Sequence, residues 1–234
     1  MEPIHLPPPF TLVRLRESHD AFAHAINIAE DRGAGTLTYV GRYDLAEFAV
    51  VLEPAEPLRA ARLAFYVGMT ALTDALRAAA LPNREVAIDW PDAVRIDGGV
   101  VGGGRLGWPK CANEDEPPRW LVFGAMIRMV AMMDREASAA SREGLGEAGA
   151  VQVTESFARH LMLGIDAWQV EGFNSVAREY SSRLSRQRQF TRFIDANGDL
   201  LERRNGAHDT QRHDLTQALT RPSWFDPDLQ GPPL

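Results

Sequence analysis

The chain has 234 residues, 45% of them hydrophobic and 24% charged, with a formal net charge of −7. That length and balance suit one large domain, or one domain with a small appendage, around a sizeable core. The acidic charge excludes the basic footprint of a nucleic-acid or anionic-membrane binder, and the single cysteine, Cys111, excludes an intramolecular disulfide and a multi-cysteine zinc site.

The opening MEPIHLPPPF lacks the basic start and long apolar core of a signal peptide, and Pro7-Pro8-Pro9 keeps it extended. With the longest apolar run, Trp120 to Met133, broken by Arg128 and too short to span a bilayer, a cytoplasmic protein is expected. Ser18 is a good N-cap, and Phe22, Ile26 and Ala29 share one face, which predicts a helix from there to about Arg32, closed by Gly33. Strand-like runs Thr36–Val40 and Leu45–Leu52 follow, joined at Gly41-Arg42-Tyr43-Asp44. Leu58, Ala61, Phe65, Met69, Leu72 and Leu76 recur every three or four residues and predict one long helix over about 58–80, with Pro82 just beyond. Glu85–Asp89 reads as a strand. Val94–Ile96 and Val100–Leu106 flank Asp97-Gly98, a strong hairpin signal.

After a polar loop over 111–118, Arg119–Ile127 reads as a further strand. Residues 134–150 are rich in Ala, Gly, Ser and Glu and read as a mobile connection. Helices are predicted over about 154–168, with Phe157, Leu161, Ile165 and Trp168 toward the core, and over about 173–184. Arg192–Arg204 reads as a hairpin turning at Asn197-Gly198, and the proline-rich end from Pro222 as loop. Interleaved helices and hairpin-paired strands suggest an α+β domain, helices packed on a mixed sheet, with a small C-terminal β element.

The most unusual stretch is Val94 to Lys110, crowded by Gly98, Gly99, Gly102, Gly103, Gly104 and Gly107. A phosphate loop needs Gly-Lys-Ser/Thr, and no lysine precedes Lys110, the only one in the chain. Gly102 to Gly107 matches G-x-G-x-x-G, but the dinucleotide fingerprint must open a helix, and here Trp108-Pro109 and a polar loop follow. What is left is a hairpin whose second strand is glycine-rich because a ligand or another backbone comes close, or a glycine run tolerated at a sheet edge.

Trp90-Pro91-Asp92-Ala93 resembles the Trp-Pro-Asn-Asp tetrad that ends a strand in biotin–protein ligases. There a short hairpin, a lysine and a small-residue stretch come next, and Val101-Gly102-Gly103-Gly104 stands in that stretch. Phe123-Gly124-Ala125-Met126-Ile127-Arg128 is similar to the family's following Gly-x-Gly-x-Asn strand, and Trp168 to Phe173 to the helix and Gly-Phe turn closing the ligase domain. Ile194-Asp195-Ala196-Asn197-Gly198-Asp199-Leu200 resembles the start of its small C-terminal β domain. These elements come in the family's order over about residues 12 to 200, and the chain is identified as a member of the biotin/lipoate–protein ligase superfamily.

The resemblance implies a fold related to the class II synthetases, with a ligase-like domain over residues 1–186 and a small β domain and tail over 187–234. It also implies a reaction, in which a biotin- or lipoate-like acid attacks ATP, with magnesium, to give an acyl-adenylate. A lysine of a carrier-protein domain then takes the acyl group; neither nucleic acid nor membrane takes part. Such a site must supply positive charge and exclude water.

This chain departs from the pattern in three places. Val100 aligns with the family lysine that touches carboxylate and phosphate, Gly41 and Arg42 are what remains of an arginine-rich loop, and Asp92 and Ala93 replace the tetrad's Asn and Asp. The candidate ligand-binding residues are Gly41, Arg42, Trp90, Asp92, Gly102, Gly103, Gly104, Arg105, Gly124 and Arg128. Arg42, Arg105 and Arg128 would bring charge. Trp90 and Trp108, flanking the glycine strand, would wall an apolar pocket. Asp92 reads as a magnesium ligand, a hydrogen-bond acceptor or an exposed strand end.

Two outcomes stay open, a working ligase and a noncatalytic relative that binds the acid or the carrier. The sister octanoyl transferases use a cysteine with a lysine and no ATP, which makes Lys110-Cys111 a third; side by side in a polar loop, they read as an ordinary thiol and its neighbour. His19 with His24, and His208 with His213, are five apart and do not share a helix face for a metal.

Overall fold

Near-continuous apolar runs on the central strands, buried on both faces, build one seven-stranded sheet, seen in a computed structural model that describes residues 3–42, 44–79, 84–129 and 139–233. Its strands are β1 (Thr11–Leu15), β2 (Thr36–Gly41), β3 (Leu45–Leu52), β4 (Val86–Asp89), β5 (Ala93–Ile96), β6 (Gly99–Gly107) and β7 (Leu121–Arg128). They lie in the order β1-β2-β3-β7-β6-β5-β4. β1 runs parallel to β2 and the other neighbours are antiparallel, so the sheet is mixed. The β5–β6 hairpin forms at its expected turn, with Asp97 at φ 49° and Gly98 at φ 82°. β1 was not expected; five residues behind a proline-rich start, one exposed and four half-buried, carry too little alternation to show.

The two sheet faces are covered differently. α1 (Ala21–Arg32) lies on one, where Ala25 and Ala29, with Phe22 and Ile26, pack on Ala49, Val51 and Val122. Its cap is Asp20 rather than Ser18: the Asp20 carboxylate accepts the Ala23 N–H at 2.9 Å. On the other face sit α2 (Leu58–Ala61), α3 (Ala64–Ala79), α4 (Ala139–Glu171) and α5 (Phe173–Ser182). Phe157 of α4 lies 4.7 Å from the ring of Phe48 and 5.6 Å from that of Phe123. Burying each such ring contributes about 1.5–3 kcal/mol.

Two helical expectations are corrected. The helix over 58–80 is broken at Arg62-Leu63, where the N–H groups of Phe65 and Tyr66 reach back only three residues. Buried Arg62 turns there to bond Glu114 and the Thr216 hydroxyl and lies over the Trp108 ring, so tertiary contact overrides propensity. Ala80 and Pro82 lie outside the described residues. The connection expected over 134–150 is helical from Ala139, continuous with the helix expected from Thr154; its Ala, Glu and Arg are strong helix formers. Residues 134–138 lie outside the described residues.

β8 (Phe190–Ile194), β9 (Leu200–Arg204) and β10 (Thr210–His213) form a small antiparallel sheet, followed by α6 (Leu215–Ala218). The hairpin at Asn197-Gly198 is as expected and β10 is an addition. Tyr66 ties this sheet to the main body: its hydroxyl donates to the Gly198 carbonyl and accepts from Trp90 Nε1 at 2.9 Å. The proline-rich end is irregular, as expected, but not peripheral, because Trp224 is only 2% exposed. Proline rules out regular structure there without ruling out burial. Among the described residues no helix is long and apolar enough to cross a membrane.

Candidate functional site

Charge gathers on the α1 face of the sheet, where β3 and β6 pass beneath the start of α1. Glu47, in the middle of β3, is 2% exposed. Its Oε1 accepts the backbone N–H of Ala21, the first residue of α1, at 2.8 Å. An unpaired helix N-terminus attracts anions, and here the protein's own carboxylate fills that place. Arg42, in the β2–β3 connection, puts Nη1 3.8 Å from Glu47 Oε2 and Nε 3.4 Å from Asp44. From β6, Arg105 donates through Nη2 to Asp20 Oδ1 at 2.7 Å.

Arg105 is held closely. Its guanidinium carbon is 4.3 Å from the Phe22 ring centroid and 5.7 Å from that of Phe225, and the side chain is 16% exposed. Among the described residues its hydrogen bond is to Asp20, which leaves most of the guanidinium's five donors for another partner. Burial raises the Glu47 pKa above the usual carboxylate range, and the nearby Asp20 charge adds to this. The Ala21 N–H and the charges of Arg42 and Arg105 oppose the shift without overcoming it.

The expected site residues divide between the two faces. Arg42, Gly103, Arg105, Gly124 and Arg128 belong to the α1 side or border it, whereas Gly41 shares the face of Tyr39 and Trp90 is turned to the helical layer. Its indole donates to Tyr66 and its ring lies 6.0 Å from that of His213. Trp108 lies against Arg62, so the two tryptophans do not face one pocket. Asp92 is 2% exposed, not at an open strand end; it accepts the Ser223 N–H at 2.8 Å and the Ser223 hydroxyl at 2.5 Å. Burial raises its pKa, with the Ser223 bonds pulling the other way. Arg128 donates to the Pro232 carbonyl at 2.6 Å. Val100 packs with Leu45, Ala93, Met126 and Trp224.

The glycines are explained by the protein's own atoms. Gly102 takes φ +144°, and a Cβ there would run into the Met126 carbonyl. A Cβ on Gly103 would strike the Asp92 carbonyl and the Trp224 indole; on Gly104, Met69 and Phe123 from the helical layer; on Gly124, Phe22. Trp224 Nε1 donates to the Gly104 carbonyl at 3.0 Å. Close approach is thus real, but the approaching groups are the protein's own side chains and backbone.

Asp20, Phe22, Glu47 and Trp224 were not among the expected site residues. Glu47 had a signal, as the lone carboxylate inside the apolar run Leu45–Leu52. Lys110 and Cys111 are exposed in the β6–β7 loop. No group of three His, Cys, Asp or Glu side chains is placed to hold a metal among the described residues. Open cavities lie elsewhere: one of about 230 Å³ is lined by Val67, Thr70, Asp74, His160 and Arg183, and one of about 420 Å³ by Leu52, Pro54, Leu121 and Trp168.

This arrangement has relatives. A biotin protein ligase-like protein of unknown function from Silicibacter sp. tm1040 has 25% identity and a TM-score of 0.76, over 94% of this chain and 100% of its own. The biotin protein ligase of Aquifex aeolicus, in complex with biotin and ATP, has 14% identity and a TM-score of 0.59, over 86% of this chain and 94% of its own. Likeness at that identity is one of fold. The comparison with curated proteins yields no match. Residues 6–182 match the model of one family, well over half of the sequence. The chain therefore belongs to the biotin/lipoate A/B protein ligase family.

Proposed function

We propose that this family member binds a biotin- or lipoate-like carboxylic acid on the Arg42–Arg105 face and, with ATP, attaches it to a lysine of a carrier-protein domain. The observation that carries the reading is the meeting of two guanidiniums, from the β2–β3 connection and from β6, around the buried carboxylate of Glu47. Arg105 has donors to spare and is fixed by the Phe22 ring and by Asp20, so it is oriented before an anion arrives. The Aquifex aeolicus ligase of the same fold binds biotin and ATP, which supports a ligand pair of that kind here.

In the first step a carboxylate oxygen of the acid attacks the α-phosphorus of ATP. The bond from that phosphorus to the bridging oxygen breaks, and pyrophosphate leaves with the electron pair. In the second step the carrier amine attacks the acyl carbon, an amide forms, AMP leaves with the electrons of the broken C–O bond, and the amine's proton passes to solvent. Negative charge builds on phosphate and acyl oxygens in turn, and Arg42 and Arg105 stand to stabilise it in a sparsely hydrated place. Magnesium would arrive on the ATP phosphates; Asp92 does not suit it, being engaged by Ser223.

A second reading, a noncatalytic relative that binds the acid or the carrier, is favoured by one observation. Val100 stands where the resembling enzymes keep their lysine and is packed among apolar side chains. Pyrophosphate–ATP exchange with biotin or lipoic acid separates the two. Exchange that is lost in Arg105→Ala and weakened in Arg42→Ala upholds the ligase. Acid binding without exchange leaves the binder. Affinity that neither substitution alters removes both, because the acid would then bind elsewhere.

A further inference from the structure

The tail beyond α6 does more than end the chain. It crosses the sheet face on which the acid is proposed to bind, and it engages five of the expected site residues. Ser223 is bonded twice to Asp92, the Trp224 indole fills the space left by Gly103 and bonds the Gly104 carbonyl, and Arg128 holds the Pro232 carbonyl. Phe225 lies against Arg105. Between these anchors the tail turns back on itself through a pair of backbone bonds joining Asp226 and Gly231. Trp224, Gly231 and Pro232 are buried, while the intervening 227–230 are exposed.

These anchors share a property. The tail belongs to neither sheet, so releasing it breaks side-chain bonds and aromatic packing but no ladder bond of β1–β7. Segments with few backbone ties are those that open locally at the smallest free energy.

We propose that residues 222–232 form a strap that occupies the acid site from within, and that it must swing away before an acid can reach Arg105 and the Gly103 face. Opening uncovers Arg105, returns the Arg128 guanidinium to the same face and frees the space above Gly103 that Trp224 holds. The apparent affinity for the acid is then the intrinsic affinity reduced by the fraction of molecules in which the strap is open. The competition rests on the acid-binding reading above, whereas the closure stands on the strap's own contacts.

The test uses the full chain and two variants, Trp224→Ala and the milder Ser223→Ala, in which an exposed serine loses one bond to Asp92. Arginines are labelled with phenylglyoxal and followed by peptide mass, with Arg59, 63% exposed, as the internal reference. Binding of biotin and of lipoic acid is measured by calorimetry on the same samples. With a closed strap, Arg105 labels slowly in the unaltered chain and about tenfold faster in Trp224→Ala, and the acid binds about tenfold tighter. Ser223→Ala moves both in the same direction by less, and Arg59 labels alike in all three. Equal labelling of Arg105 in all three proteins overturns the proposal. So does faster labelling with an unchanged affinity for whichever acid binds. If neither acid binds any of the proteins while Arg105 labelling still accelerates, closure is upheld and it is the acid-binding reading that falls.

Discussion

Gly103→Ala distinguishes glycines demanded by the fold from glycines kept for a ligand. A Cβ at Gly103 would lie well inside 3.0 Å of the Asp92 carbonyl oxygen and of the Trp224 ring. The ring belongs to the tail and can leave, but the carbonyl cannot. It accepts the Gly104 N–H at 2.9 Å and sits one residue before Ala93, the β5 partner of Gly103. Relief therefore means prising β5 from β6. Overpacking of this kind costs about 1–3 kcal/mol, and an orphaned buried carbonyl adds about 1–3 kcal/mol. A loss of about 2–5 kcal/mol is expected, a shift of about 1 M or more in the urea midpoint. Gly99→Ala is the control: its nearest neighbour, the Ile96 carbonyl, would be 3.6 Å away, so a change within about 0.5 kcal/mol is expected. No acid or nucleotide is present in the measurement. Should Gly103→Ala unfold at the midpoint of Gly99→Ala, packing does not demand the glycine and the explanation given above is wrong.

Three further outcomes follow from the same geometry. Because burial raises the Glu47 pKa, the native chain keeps a proton that the unfolded chain releases, and this group's contribution to stability falls as pH rises from the ordinary glutamate range through the raised value. Glu47→Gln removes that fall, so its thermal midpoint relative to the unaltered chain should climb as pH rises above the ordinary glutamate range; a difference that is flat or declines with pH contradicts the argument. Tyr66→Phe leaves Trp90 Nε1 and the Gly198 carbonyl without their shared partner, and should lower unfolding stability by about 1–3 kcal/mol in urea titration. A loss below about 0.5 kcal/mol would mean that the small sheet is not held through this hydroxyl. Exposed Cys111 should react fully with a thiol reagent in the native protein, and Cys111→Ser should leave ATP-dependent exchange unchanged; loss of an ATP-independent acyl transfer in that variant would restore the cysteine to the chemistry.

What could be read from the chain was what local pattern decides. The apolar runs Leu45–Leu52 and Arg119–Ile127 read as strands, and they are β3 and β7. Asp97-Gly98 specifies its turn by residue type. What escaped depends on distant partners. The break at Arg62 answers to Glu114 and Thr216, and the burial of Trp224 answers to Gly103 and Gly104, more than a hundred residues earlier. Trp90 and Trp108 are close in sequence to the glycine strand, yet one is turned to Tyr66 and the other to Arg62. Arg42 and Arg105 were legible as charge needed by the resemblance. Their carboxylate partners carry signals of their own, since Glu47 interrupts an apolar strand and Asp20 stands where a helix cap belongs.

Recognition and closure at this face draw on different forces. Arg42 and Arg105 face Asp20, Asp44 and Glu47, so with all three carboxylates ionised the cluster opposes an incoming anion. A proton on Glu47 changes the sign of the problem: the two guanidiniums then balance Asp20 and Asp44, and a bound acid or phosphate adds attraction without a surplus of like charge. The burial that raises the Glu47 pKa thus prepares the site for an anion, and an arriving anion raises that pKa further. The tail meets Arg105 with the ring of Phe225, while Trp224 packs over Gly103, Ser223 bonds Asp92 and the Pro232 carbonyl accepts from Arg128. Salt acts on the first set of interactions and scarcely on the second, since packed rings and buried hydrogen bonds are little screened, whereas pH also reaches the second through the buried Asp92 carboxylate that Ser223 bonds. Acid affinity should therefore follow ionic strength while strap opening does not, and the two steps can be separated in one protein by changing only the salt.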